Sequence, residues 1–293
     1  MQRLLLILLL GLNGLPLWAQ LDTDVYLIRV FSRDSSGWQL ETARNLTPTQ
    51  GYHNQPAFTL DSRGLLFVSR SADPQEATDV YRFDLGKETM QRLTDTPTRS
   101  EYSPTPAPTG KGYSAVVVEE DSTQRLWYFA YDDAQGEVLL DELADIGYHA
   151  WYHRKHLGLF VVRRPLSLQV THVKRQQPHL LTDSIGRCLA AAPGKRRLSY
   201  VDKSGDPWLI NVWDARSGQT DTVAATLPAC EDYAWTPEGH LLMAQGSHLY
   251  RFRPGQDDTW QDLGDLGVGK FYRLAISPDG RWLAVVTYQG PKP

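Results

Sequence analysis

Six short segments of this chain carry titratable or hydrogen-bonding side chains a similar distance ahead of a turn. They are Tyr52-His53-Asn54, Glu101-Tyr102-Ser103, Tyr148-His149, Arg187, Glu231-Asp232-Tyr233 and Tyr272-Arg273. Arginine forks onto carboxylates, carboxylates and amides exchange hydrogen bonds, and tyrosine adds stacking area. Brought to one point, His53, Glu101, Tyr102, His149, Arg187, Glu231, Asp232, Tyr272 and Arg273 suit recognition of a polar ligand, a peptide or a sugar. The competing reading is that these groups satisfy strand-end backbone groups and trapped waters. A second chemistry needs His53, His149 and Glu231 to share a divalent metal ion, which would support a metal-assisted lyase or hydrolase on a sugar or peptide.

Other reaction signatures are missing. The text nearest to a nucleophile elbow, Gly112-Tyr113-Ser114-Ala115-Val116, lacks the second glycine. There is no His-Glu-x-x-His and no phosphate-cradling glycine loop with lysine. Asp132-Asp133 through Glu137 lacks the alternating oxygen ligands of a calcium loop and reads as a polar turn. The formal net charge is -4 and no basic block occurs along the chain, so nucleic acid is not an expected partner. Cys188 and Cys230 are too far apart for a metal signature and read as free, mostly buried thiols, with pairing left open.

The elements that must position these groups are strands. Six hinges recur at a period of about 40–45 residues, the mark of a blade repeat. They are Asp61-Ser62-Arg63-Gly64, Thr109-Gly110-Lys111-Gly112, His153-Arg154-Lys155-His156, Pro193-Gly194-Lys195-Arg196, Pro237-Glu238-Gly239 and Pro278-Asp279-Gly280. Proline presets φ, Asp or Ser bonds back to the backbone, and glycine takes positive φ. An apolar run follows each hinge, as at Leu65-Leu66-Phe67-Val68 and Ala115-Val116-Val117-Val118, and suits a strand buried on both faces. Alternating third strands and short polar fourth strands come next, the latter at Gln91-Arg92-Leu93-Thr94 and His179-Leu180-Leu181-Thr182. Only one strand follows the last hinge, whereas Asp24–Val30 resembles a third strand and Arg44–Thr47 a fourth. The expected fold is therefore all-β: a six-bladed β-propeller of four-stranded antiparallel blades, in which the N-terminal strands complete the C-terminal blade. The six segments then start the innermost strands and face the mouth of the central channel.

Asn45-Leu46-Thr47, Pro56-Ala57-Phe58, the Ser277-Pro278-Asp279-Gly280 hinge, and Asp79-Val80-Tyr81 with Arg92-Leu93-Thr94 resemble the WD40-like β-propeller repeats of the TolB family. The resemblance spans roughly Asp22 to Gln289 and implies the propeller fold. The α/β domain that precedes the propeller in TolB, and the catalytic domain that follows similar propellers in prolyl oligopeptidase-type peptidases, are not expected in this chain. The resemblance also implies the metal alternative, since some TolB-like propellers that act as pectic-oligosaccharide lyases use a metal at this kind of position.

Residues 1–19 read as a secretory signal: Arg3, an uninterrupted Leu4–Leu10 run, a Gly/Pro segment and a small residue at Ala19. Residues 20–293 are then one exported domain, periplasmic or secreted, with no membrane insertion after signal removal. It is expected to be monomeric and without a cofactor, and to bind a protein partner or small polar ligand. Nine tryptophans invite a sugar-binding account, but most fall inside strand patterns and read as packing residues between blades.

Overall fold

The structure, a computed structural model, describes residues 22–34, 37–73 and 75–288. The expected leader over 1–19 lies outside the described residues. The chain opens with β1 (Thr23–Asp34) and two short strands, β2 (Gly37–Leu40) and β3 (Arg44–Asn45). Next come β4 (Gly51–Phe58), β5 (Gly64–Ser71), β6 (Asp79–Asp84) and β7 (Thr89–Arg92), then β8 (Ser100–Pro106), β9 (Gly112–Val118), β10 (Gln124–Ala130) and β11 (Glu137–Val138). They are followed by β12 (Ile146–His153), β13 (His156–Val161), β14 (Ser167–His172) and β15 (His179–Asp183), then β16 (Ile185–Ala191), β17 (Arg197–Asp202), β18 (Leu209–Asp214) and β19 (Thr220–Ala225). The chain ends with β20 (Tyr233–Trp235), β21 (Leu241–Gln245), β22 (His248–Phe252), β23 (Gln261–Asp265), β24 (Phe271–Ile276) and β25 (Trp282–Tyr288). No helix occurs among the described residues.

The class is all-β, as expected. Strands β8–β11, β12–β15, β16–β19 and β20–β23 each form a four-stranded antiparallel sheet in chain order. A larger sheet runs β24-β25-β1-β4-β5-β6-β7, with β2 and β3 on β1. Its two parts share a single ladder pairing, the parallel one of Thr23 with Tyr52, while β1 pairs antiparallel with β25 from Thr23–Tyr288 to Arg29–Trp282. The N-terminal strand thus lies third beside β24 and β25. The expected fourth strand over Arg44–Thr47 is reduced to Arg44–Asn45, because the far half of β1 folds back as a hairpin with β2. Trp38, which the sequence does not assign, lies in that hairpin and packs on the core.

Each hinge sits between the first and second strands of a unit, where the sequence puts it. Second strands such as β5 and β9 are almost wholly buried, and fourth strands such as β7 and β11 are exposed. The core is a series of apolar clusters between successive sheets rather than one centre. β1 shows why alternation matters: Val25 and Leu27 enter the cluster shared with Phe58, Leu65 and Phe67, whereas Ile28 and Val30 enter the one shared with Leu242 and Leu249. Full burial of one such side chain stabilises the fold by about 1.5–3 kcal/mol.

A serine on a second strand repeatedly clips the next sheet. Ser114 Oγ accepts from Trp151 Nε1 at 2.9 Å and bonds His149 Nε2 at 2.6 Å. Ser199 Oγ likewise accepts from Tyr233 OH at 2.8 Å and Trp235 Nε1 at 2.9 Å. Residues two apart on a strand share a face, so the first strand of each following sheet presents both donors to one hydroxyl.

Candidate functional site

First strands of successive units adjoin one another: β4 with β8, β8 with β12, β12 with β16, β16 with β20, β20 with β24, and β24 with β4. Their upstream ends carry a polar cluster centred on Asp232. Arg187 Nη2 lies 2.5 Å from Asp232 Oδ2, and Arg273 Nε lies 3.5 Å from Oδ1. The Asp232 side chain is 8% exposed, that of Arg273 11% and that of Arg187 31%, so Arg187 is the arginine that reaches solvent. Arg273 Nη1 donates to Asn54 Oδ1 at 2.9 Å, and Asn54 Nδ2 donates to Tyr272 OH at 2.5 Å. The guanidinium of Arg187 stands 5.9 Å from the Tyr272 ring, and that of Arg273 stands 5.8 Å from Tyr272 and 5.7 Å from Tyr148. Tyr288 stacks on Tyr272 with centroids 4.3 Å apart.

Bulges aim these groups. Strict alternation would send Tyr272 and Arg273 to opposite faces, yet both bond Asn54, because the β24 register slips between Phe271 and Arg273. In β4 the slip falls between Asn54 and Ala57, with Gln55 at φ 57°, and in β8 between Tyr102 and Thr105, with Ser103 at φ 52°. Gln55 Oε1 accepts from Ser103 N at 2.7 Å and ties the two bulges together.

Charge states in the cluster are firmly set. Burial alone would raise the Asp232 carboxyl, but Arg187 and Arg273 outweigh it and hold the group below the ordinary carboxylate range. Burial also works against the charge of both arginines, yet Asp232 keeps them protonated. Burial pushes the Tyr272 phenol up to about 12 against the opposing pull of Arg273, and raises Tyr52 further. These groups keep one protonation state around neutral pH, which suits recognition better than proton transfer.

The expected site residues divide into two sets. Arg187, Asp232, Tyr272 and Arg273 come together, and Glu231 joins them with Oε1 3.5 Å from Arg187 Nη1 and Oε2 2.7 Å from Lys203 Nζ. The Tyr102 hydroxyl accepts from Thr78 Oγ1 at 3.3 Å rather than from a cluster residue. His53, Glu101 and His149 turn away. His53 is buried, with Nδ1 2.9 Å from Ser69 Oγ and Nε2 3.1 Å from Thr49 O. Glu101 is sealed from solvent and accepts from Thr94 Oγ1 at 2.9 Å and Thr96 Oγ1 at 2.6 Å. His149 faces Ser114, and burial pushes its imidazole down to about 3. The reason is the two-residue strand period: where Tyr52, Tyr102 and Tyr148 face the cluster side, their immediate neighbours must face the opposite way. The three proposed metal ligands therefore do not fit one ion, and among the described residues no group of three His, Cys, Asp or Glu side chains is arranged to hold one. Cys188 and Cys230 are free, and the Cys188 thiol bonds the backbone of Tyr233.

Lys203, Tyr288 and Asn54 complete the cluster. Asn54 stands in one of the six segments, and Tyr288 and Lys203 lie on neighbouring strand ends that carry no sequence mark of their own. A separate groove of about 580 Å³ is lined by Asp95, Arg99, Glu119, Glu120, Asp121 and Trp127. Several of its charges are already matched within the protein, Glu119 by Arg125 and Trp127, and Asp95 by Arg92.

No family model matches the sequence, and no curated protein does either. Solved structures do match. A TolB-type protein of Agrobacterium tumefaciens superposes with a TM-score of 0.70 at 14% identity, over 92% of this chain and 99% of that one. The protein has a TolB-like propeller fold. TolB from Acinetobacter baumannii matches this TolB-like propeller with a TM-score of 0.60 at 15% identity, over 92% of this chain and 64% of its own. An oligogalacturonate lyase from Vibrio parahaemolyticus matches with a TM-score of 0.55 at 13% identity, over 91% and 98%. At these identities the likeness is one of fold, and it includes TolB proteins and a lyase alike. In this TolB-like propeller the Asp232 cluster lies at the upstream ends of the adjoining first strands.

Proposed function

We propose that this chain is an exported, non-catalytic propeller that binds a protein partner or small polar ligand at its channel mouth. The observation that carries the reading is Asp232 held between Arg187 and Arg273 with aromatic rings around them. With Lys203 and Glu231 added, three cations face two carboxylates. The surplus positive charge and the partly exposed Arg187 favour a ligand that carries a carboxylate or similar anion. Signal removal after Ala19 would leave residues 20–293 as a single domain acting as a monomer.

The same reading takes the molecule as six four-stranded blades closed into a ring. Its support is the single Thr23–Tyr52 link that separates the larger sheet into β4–β7 and β24-β25-β1-β3, together with the adjacency of β24 and β4. The test is a thermal-shift screen of organic acids, acidic sugars and peptides against the wild-type chain and Arg187→Ala. Hits that stabilise the wild type and lose about tenfold or more in affinity in the variant support the channel-mouth site. Equal binding of every hit to both proteins overturns it.

A further inference from the structure

The sequence holds no basic block, but the fold assembles one. Four turns from two neighbouring sheets meet at the hinge end of β12–β19. They bring Arg154 and Lys155 from the β12–β13 turn, Lys174 and Arg175 from the β14–β15 turn, Lys195 and Arg196 from the β16–β17 turn, and Arg216 from the β18–β19 turn. All seven are exposed. Backbone bonds hold the turns side by side: Val173 N donates to Lys155 O at 3.0 Å, and Ala215 N to Arg196 O at 3.0 Å. Between them stand His153, His156 and His172, with ring centroids 5.4 Å apart for the first pair and 5.0 Å for the second.

None of the seven cations forms a salt bridge among the described residues. Asp214 and Asp221 form their salt bridges with Arg197, and Asp214 also accepts from the backbone N of Arg216 and feels its charge. The cations act on the histidines as well. His153 is held below its ordinary value by desolvation and then by Arg196, Arg154 and Arg216, and His156 by desolvation, the other two histidines, Arg196 and Arg175. A concentration of seven cations without a salt bridge, on a chain of net charge -4, is a strongly polarised surface. Among the described residues the exposed large hydrophobic side chains include only Phe31 and Tyr288 as aromatics, so no exposed Phe, Tyr or Trp ring stands among these turns. The face therefore lacks the stacking platform that single-stranded nucleic acid uses. Turn tips spread over two adjoining sheets present their charges side by side and match a surface of closely spaced phosphates.

We infer that the hinge-end face formed by Arg154, Arg175, Arg196 and Arg216 with Lys155, Lys174 and Lys195 is a docking surface for an anionic phospholipid membrane. Binding is peripheral, because the face carries charge without an apolar wedge to insert. It lies at the opposite end of the strands from the Asp232 cluster and is independent of any ligand there.

The test is co-sedimentation of the purified chain with vesicles rich in phosphatidylglycerol, in parallel with pure phosphatidylcholine vesicles. The expected result is partition onto the first only, falling steeply as salt is raised. Partition should drop at least about tenfold in the R154E/R175E/R196E/R216E variant. A second variant, K155Q/K174Q/K195Q, should give a smaller loss with an unchanged thermal unfolding midpoint, which separates lost docking from lost folding. Equal partition onto both vesicle types, undiminished partition of the arginine variant, or binding of duplex DNA or an acidic polysaccharide without binding of the phosphatidylglycerol vesicles would each overturn the assignment.

Discussion

Asp232 has little access to water and two guanidiniums beside it, so its charge and theirs depend on one another. Removing the carboxylate leaves two cations facing each other in a half-dry site. Asp232→Ala is expected to destabilise the fold by about 3 kcal/mol, measured as a lower midpoint in urea denaturation with an unchanged slope. Glu101 gives the opposite kind of prediction. Burial raises its carboxyl to about 7, above the ordinary value of 4.5, although Thr96 and Thr94 partly offset that. Its folded form therefore holds a proton that the unfolded chain has already lost. Its contribution is complete below pH 4.5 and is lost progressively as pH rises to about 7. Glu101→Gln should remove that loss and make the variant more stable than wild type above neutral pH, by roughly 3 kcal/mol. The two stability curves should converge near pH 4. A wild-type minus variant difference that stays flat between pH 4 and pH 8 would show that Glu101 does not titrate in this way.

At the scale of elements, the hinges behave as units built from side chains. Ser277 Oγ donates to Asp279 Oδ1 at 2.6 Å and accepts from Trp282 N at 3.0 Å, while Arg281 N donates to Asp279 Oδ1 at 3.0 Å. Thr59, Asp61, Arg63 and Gly64 repeat that pattern at the first hinge. Gly280 sits at φ 70°, a conformation a β-branched residue resists. Gly280→Val is expected to cost about 1–2 kcal/mol, read as a fall of a few degrees in the thermal midpoint. Such hinges were legible in the sequence because proline, aspartate and glycine impose turn geometry locally. The segments ahead of them were legible only as segments. Side-chain direction there depends on strand alternation and on the bulges in β4, β8 and β24, which are set by pairing with distant strands. So Tyr272 and Arg273 were found together, whereas His53 and His149 were grouped with a cluster that their strands turn them away from. Lys203 was beyond sequence reasoning, since its link to Glu231 joins two sheets.

At the scale of the whole molecule, β1 couples the two ends of the chain. Its alternate residues enter two different apolar clusters, so its absence would open both. Deletion of residues 22–47 is expected to abolish the single cooperative thermal transition and to produce strong binding of a hydrophobic dye. A fully cooperative transition in the truncated chain would show that β24 and β25 need no N-terminal partner. The basic face reflects the same scale: residues from Arg154 to Arg216 count as scattered charges along the sequence and as neighbours only once the sheets adjoin.

The pairing of Thr23–Arg29 with Trp282–Tyr288 also fixes an order in time. β1 leaves the ribosome long before its partner β25, because the strands from β4 to β24 are made between them. Until then Val25, Leu27, Ile28 and Val30 have no complete surface to cover them, and the chain cannot lock prematurely into its final form. A fastening that closes only when β25 arrives leaves the intervening strands to form their own sheets first, and on the export proposed above it would keep the chain passable through a translocation pore.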